Sequence, residues 1–200
     1  MTLLDAAFAH PQGLAGRLGA MIMAYMTRQR NLWTISLLDL RPNDHILEVG
    51  FGPGALIQEM ALRVPEGFVA GVDASSLMVR QATRRNKKAI QSKQVVLKEG
   101  SALTLPFEDN WFDVALSANS IQIWPDQLTG VKEMYRVLKR GGRVALILQP
   151  VWAKADQEVK DIGAGLLSTL KQAGFQQTRL EFKSMKPVST VCALGIKECA

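Results

Sequence analysis

The residues best suited to chemistry lie between positions 48 and 73, where two carboxylates flank a glycine-rich turn. Glu48-Val49-Gly50-Phe51-Gly52-Pro53-Gly54-Ala55 falls where an apolar run gives way to helical periodicity. Glycines at such a junction let the backbone turn sharply and come close to a ligand, because no Cβ intervenes. Gly50, Gly52 and Ala55 satisfy the GxGxxA spacing of dinucleotide-binding loops, whereas Gly50, Gly52 and Gly54 satisfy a tighter GxGxG spacing. Two neighbours separate these readings. Pro53 removes an N–H that a pyrophosphate would use, and Glu48 would repel a diphosphate while favouring a ligand that carries a sulfonium and an ammonium. Asp73 ends a second apolar run nineteen residues after Gly54. A carboxylate there can accept hydrogen bonds from both hydroxyls of a ribose, although NAD sites use the same device.

Other polar residues carry weaker signals. Asn119, Ser120, Gln122 and Trp124 follow the fourth apolar run, at the end of the chain's strands where an acceptor molecule would sit. Asn119 serves equally well as a turn residue, and Trp124 as packing. The sequence shows no Asn-Pro-Pro-Tyr there, the signature of enzymes that act on DNA amino groups. His45 begins the first strand, at the end opposite such a crevice, and is read as structural; His10 lies on the N-terminal arm. Arg80, Arg84, Arg85, Lys87 and Lys88 form the densest basic cluster, read as a solvated helix face pointing away from the crevice.

These residues need a scaffold that alternates strands with helices. Five apolar runs predict parallel strands: 45–49, 67–72, 95–97, 112–116 and 143–148. Leu56, Ile57, Met60, Ala61 and Val64 share one helical face, closed by Pro65, and Ser75 is a plausible N-cap for the helix carrying Met78, Val79 and Ala82. Leu128 to Leu138 and Val159 to Leu170 predict two more helices, the second ended by Gly174. Two adjacent strands at 175–183 and 188–197, with no helix between them, imply an antiparallel hairpin at the sheet edge. Before the sheet, Leu14, Leu18, Met21, Ile22, Tyr25 and Met26 recur at helical spacing, and a second helical segment runs from about Asn31 to Leu40.

A chain of 200 residues is long enough for one sizeable core, and 48% hydrophobic with 21% charged residues is an ordinary globular balance. The net charge of +6, with a pI near 9.5, suits a nucleic-acid protein or an enzyme with anionic substrates and decides neither. Cys192 and Cys199 form no CxxC pair, which argues against a disulfide framework and a zinc site and fits a reducing compartment. The stretch from Leu14 to Met26 is too short to span a bilayer, and the N-terminus lacks a basic signal-peptide flank, so a cytoplasmic location is expected.

The chain resembles class I S-adenosylmethionine-dependent methyltransferases of the small bacterial type related to ubiquinone and sterol methyltransferases. The resemblance rests on four blocks in order: Leu47 to Gly54; Gly71-Val72-Asp73-Ala74-Ser75 with Met78; Leu105-Pro106-Phe107 with Phe112-Asp113-Val114; and Glu133 to Gly142, similar to E-x-x-R-V-L-K-P-G-G with Arg140 in place of proline. It implies an α/β, Rossmann-like, seven-stranded, mostly parallel sheet with an antiparallel terminal strand, plus two N-terminal helices. Residues 1–40 would form a helical lid or appendage and 41–200 the donor-binding domain. The implied donor contacts are Glu48, Gly50, Phe51, Gly52 and Gly54 for the methionyl part, Asp73 for the ribose, and Ala74 and Met78 against the adenine. Ser101 and Ala102 stand where the family often has Gly-Asp-Ala, and Ser117 and Asn119 beside the sulfonium. Tyr25, Asn119, Gln122 and Trp124 are acceptor candidates. The resemblance thus implies transfer of a methyl group from S-adenosylmethionine to a small molecule, without a metal, nucleic acid or stable membrane insertion. RNA or protein methylation, a non-catalytic binding domain and a NAD(P)-dependent oxidoreductase are the alternatives.

Overall fold

The computed structural model describes residues 27–198. The chain is helical over 27–38 (α1), then runs through β1 (His45–Val49), α2 (Ala55–Ala61), β2 (Phe68–Asp73), α3 (Ser76–Arg85), α4 (Lys87–Gln91), β3 (Val95–Glu99) and β4 (Phe112–Ala118). A 3-10 turn at Ile121–Ile123 precedes α5 (Gln127–Val137), β5 (Leu138–Leu148), α6 (Asp156–Gln172), β6 (Gln176–Lys183) and β7 (Thr190–Ile196). The first predicted helix, Leu14 to Met26, and with it Tyr25, lies outside the described residues.

The seven strands form one sheet in the order β3-β2-β1-β4-β5-β7-β6. β1 through β5 are parallel, and β7 inserts antiparallel between β5 and β6. The strand order reverses at β1, whose neighbours are β2 on one side and β4 on the other. In open parallel sheets a ligand crevice forms outside the carboxyl ends of the strands at such a reversal.

Strand alternation sends successive side chains to opposite faces. Leu47 and Val49 join the core under α5 and α6, while Ile46 joins the core under α1, α2 and α3. Glu48, next but one to Ile46, therefore faces the α1 side. The Ser75 hydroxyl caps its helix as the sequence predicts, accepting from Met78 N–H at 3.4 Å, and the structure adds a second cap, Asp126, which accepts from Thr129 N–H at 3.0 Å.

Three features differ from expectation. Strand β5 begins at Leu138 rather than Arg143, because Phe112 pairs with Leu138 but Val114 pairs with Arg143, leaving Lys139 to Gly142 as a bulge. The Lys139 ammonium fills that bulge by donating to both oxygens of Asp113 at 2.9 Å. The short helix α4 and the 3-10 turn carry too few residues for a periodic pattern. The segment expected to turn helical at about Asn31 is already helical at residue 27, the first described residue.

The Glu133 and Arg136 of the fourth motif clasp α5 to the segment before β4. Glu133 accepts from Leu105 N–H at 2.8 Å and pairs with Arg136, which donates to the carbonyls of Leu105 and Phe107 and to Asp109. Arg136 holds Glu133 below the usual carboxylate range. No helix among the described residues is long and apolar enough to cross a membrane.

Candidate active site

The glycine loop takes its shape from three left-handed residues, Gly50 (φ 77), Gly52 (φ 52) and Gly54 (φ 74). The reasons for glycine differ among them. A Cβ on Gly50 would overlap the Ser120 side chain, and one on Gly54 would meet Ala82 at 2.6 Å, so both are packed against neighbouring elements. A Cβ on Gly52 would meet nothing within 4 Å. Its open side faces a cavity, which is where close backbone approach to a ligand requires glycine.

The loop is held from both directions. Asp73 accepts from Gly52 N–H at 2.8 Å through one oxygen and from Ser75 N–H at 2.9 Å through the other. Each carboxylate oxygen keeps a free lone pair, so Asp73 can still accept from hydroxyls in the cavity. On the far side, Arg85 donates to the Pro53 carbonyl at 2.9 Å, and buried Asn86 donates to the carbonyls of Gly54 and Ala82. Arg80, Arg84, Arg85, Lys87 and Lys88 are all exposed, as a solvated helix face requires, and Arg85 has this contact in addition. Arg85 reaches back to the loop because the end of α3 packs against the start of α2.

Two hollows meet at the loop. One, of about 380 Å³, is lined by Gly50, Gly52, Asp73, Ala74, Met78 and Ser101, with Ala102, Asn119, Ser120, Ile123 and Trp124 completing its walls. The other, of about 260 Å³, is lined by Thr27, Arg30, Asn31, Glu48, Phe51 and Asn119 among others, and shares Gly50 and Gly52 with the first. A more open hollow of about 680 Å³ lies between Phe68, Phe107 and Trp111, at the amino ends of the strands and away from the loop.

Glu48 is 2% exposed, and its Oε2 is buried without a hydrogen-bond partner among the described residues. Burial pushes its carboxyl well above the ordinary range; nearby Arg30 opposes that shift and nearby Asp73 adds to it. Asn119 sits in the left-handed region (φ 54), accepts from Gln149 N–H at 2.7 Å and separates the two hollows. It thus fixes the turn after β4 and lines the site at once. Trp124 donates from its indole to Ser120 at 2.8 Å.

Glu48, Gly50, Gly52, Asp73, Ala74, Met78, Ser101, Ala102, Asn119 and Trp124 therefore converge on the two hollows. Gly54 lines neither. The ring of Phe51 packs against the face of Gly71 and is buried in the core under α1 to α3, and the residue also lines the smaller hollow. Ser117 is fully buried in β4 with its hydroxyl unpartnered, and Gln122 donates to the Asn119 carbonyl at 3.1 Å; neither lines either hollow. The sequence reading missed Thr27, Arg30 and Asn31, which bring α1 to Glu48. Their i, i+3, i+4 spacing was the available signal. His45 packs against Phe68 and Trp111, and its backbone N–H donates to Asp113 at 2.8 Å, far from the loop as expected.

Comparison with known proteins matches residues 46–142 to the methyltransferase domain family. The chain is 40% identical over 177 residues to the uncharacterized methyltransferase YdaC of Bacillus subtilis (strain 168), covering 88% of this chain and 96% of that one. It is 30% identical over 173 residues to the demethylmenaquinone methyltransferase of Lactiplantibacillus plantarum, covering 79% of this chain and 72% of that protein. Of several other relatives it spans 35% to 60% of the length. Among solved structures, a SAM-dependent methyltransferase from Aquifex aeolicus shares the fold at a TM-score of 0.66 and 20% identity, over 83% of this chain and 88% of that one.

Proposed function

The chain belongs to the class I S-adenosylmethionine-dependent methyltransferase family, and on that footing we propose that it transfers the methyl group of this donor to a small-molecule acceptor. The observation that carries the reading is the pair of hollows joined at Gly50 and Gly52, with one carboxylate at each end. Asp73 stands in the larger hollow and Glu48 in the smaller. A donor with a ribose at one end and an ammonium at the other fits that arrangement, and the open face of Gly52 and the unpartnered oxygen of Glu48 fit it independently.

When bound, the donor supplies an electrophilic methyl group on a sulfonium. The chain's residues supply position. Asp73 accepts from the ribose while keeping Gly52 in place, Ala74, Met78 and Ala102 give the adenine an apolar bed, and the Ser101 hydroxyl offers it a hydrogen bond. Asn119 and Trp124, between the hollows and above the larger one, would face the acceptor, with Gln122 supporting Asn119. A sulfonium leaves without needing a proton, so alignment of acceptor and methyl group is the main contribution required of the protein.

A small acceptor is supported by the relative named as a demethylmenaquinone methyltransferase. We also assign residues 1–40 the role of an appendage that closes over the site, since Thr27, Arg30 and Asn31 carry the chain onto the smaller hollow. Titration calorimetry tests the donor reading: S-adenosylmethionine and S-adenosylhomocysteine should bind and NAD should not. Binding of NAD alone would sink it.

A further inference from the structure

A further hollow, of about 280 Å³, lies at the amino ends of β1, β4 and β5, at the end of the sheet away from the glycine loop. Four cations line it, Arg41, Lys139, Arg140 and Arg143, together with two carboxylates, Asp44 and Asp113. Both carboxylates are already matched. Arg143 pairs with Asp44, and Lys139 donates to both oxygens of Asp113 at 2.9 Å. Arg41 and Arg140 are exposed, and no hydrogen bond or ion pair engages either guanidinium among the described residues. The hollow therefore carries an excess of two positive charges. Cations gathered in this way repel one another, and an anion placed among them relieves that cost. The backbone keeps the two cations in place. Arg41 opens a turn in which its own N–H donates to Asp44 at 3.0 Å and its carbonyl accepts from Asp44 N–H at 3.1 Å. Arg140 stands in the β5 bulge beside left-handed Gly141 (φ 74). Gly141 N–H donates to the Lys197 carbonyl at 2.9 Å, and Lys197 N–H to that of Gly142 at 2.8 Å, which ties the bulge down.

We propose that this hollow is a second binding site, separate from the donor crevice, for a phosphate-type dianion. A phosphoryl group carries about −1.5 to −2 charges at pH 7 and three acceptor oxygens, so it matches the excess in sign and size. The planar fork of each guanidinium can meet two of those oxygens in charge-assisted hydrogen bonds. A carboxylate brings a single charge and neutralises half of the excess. The volume is several times the ~30 Å³ of a water molecule, which leaves room for the group and a few waters. Arg140 stands where the motif that this stretch resembles has proline. Proline brings no charge, so half of the excess belongs to this chain rather than to the motif. Bridging Arg41 and Arg140, the anion would join the turn before β1 to the bulge of β5.

Titration of the full chain with inorganic phosphate at constant ionic strength, followed by backbone amide shifts, tests this. Saturable shifts should centre on residues 41–44 and 139–143, with a Kd in the millimolar range or tighter, as two charge-assisted contacts give. Arg140→Pro should weaken phosphate roughly tenfold or more, and Arg140→Gln should do the same without altering the backbone. Arg41→Gln should match them. Arg84→Gln, on the solvated face of α3, should stay within about twofold, and S-adenosylhomocysteine affinity should do so in every variant, because these sites lie apart. A methyl phosphate arm separates two sources of the same chemistry. Equal binding of methyl phosphate assigns the site to phosphate esters, and its exclusion assigns the site to the free ion. Shifts spread evenly over α3 and the hollow would show diffuse attraction without a site, and would overturn the proposal. So would the absence of saturation in the wild type, or unchanged phosphate affinity in Arg140→Gln and Arg41→Gln.

Discussion

Glu48 is the residue at which function and stability pull apart. Its carboxyl is held well above the ordinary range, chiefly by burial. The unfolded chain ionises such a group near pH 4.3, so the folded state gains from the neutral carboxyl fully below that pH and loses the gain as pH rises towards the folded value. Glu48→Gln should therefore flatten this part of the pH profile and raise the melting temperature of the ligand-free protein at neutral pH. The same change should weaken S-adenosylhomocysteine by roughly tenfold, since the amide carries no charge to meet an ammonium. A donor ammonium favours the ionised carboxylate, so wild-type binding should release a proton and tighten with rising pH in the same window. Calorimetry in buffers of different ionisation enthalpy reads that proton directly. A variant that loses stability at neutral pH would show that Glu48 is ionised and structurally paired.

At the scale of elements, the glycine loop is a joint between four neighbours. Asp73 of β2 holds Gly52, Arg85 holds the Pro53 carbonyl, and Asn86 holds that of Gly54. Ser120 then closes over Gly50. Two substitutions separate packing from ligand contact. Gly50→Ala forces a Cβ into Ser120 at a left-handed backbone and should cost about 2 kcal/mol or more of stability, read by denaturant unfolding. Gly52→Ala meets no atom within 4 Å, so its stability cost should stay near the ~1 kcal/mol of backbone strain. It should nevertheless weaken S-adenosylhomocysteine more than tenfold, because the new methyl enters the cavity. Equal affinity in folded Gly52→Ala protein would mean that the donor does not lie along this loop.

For the whole molecule, every donor wall named here comes from Thr27 onward. A chain lacking residues 1–26 should therefore keep S-adenosylhomocysteine affinity within a few-fold. It should also keep the stabilisation by ligand, about 2.7 kcal/mol at a hundredfold excess over Kd, measured as a shift in unfolding midpoint. Loss of more than a hundredfold in affinity would place part of the donor site in the N-terminal segment. The sheet makes the expected result reasonable: its two cores lie on either face of β1, β4 and β5 and draw only Ile35 and Leu38 from α1 as buried apolar residues.

What the sequence determined on its own was local. Apolar runs marked every strand except the start of β5 within a few residues, Ser75 marked the start of α3, and the glycines and Asp73 marked the crevice, because each signal depends on neighbours in the chain. The tertiary structure decided what depends on distant pairing. Whether β6 or β7 lies inside the sheet follows from the register of β7 against β5, and the length of β5 follows from a bulge opposite Asp113. Arg30 is the clearest case. In sequence it is one more cation on an amphipathic segment, eighteen residues from Glu48. Only the packing of α1 on the Ile46 face of the sheet, with strand alternation turning Glu48 to the same side, brings the two onto one cavity. Burial then gives each the charge environment that neither residue type carries by itself.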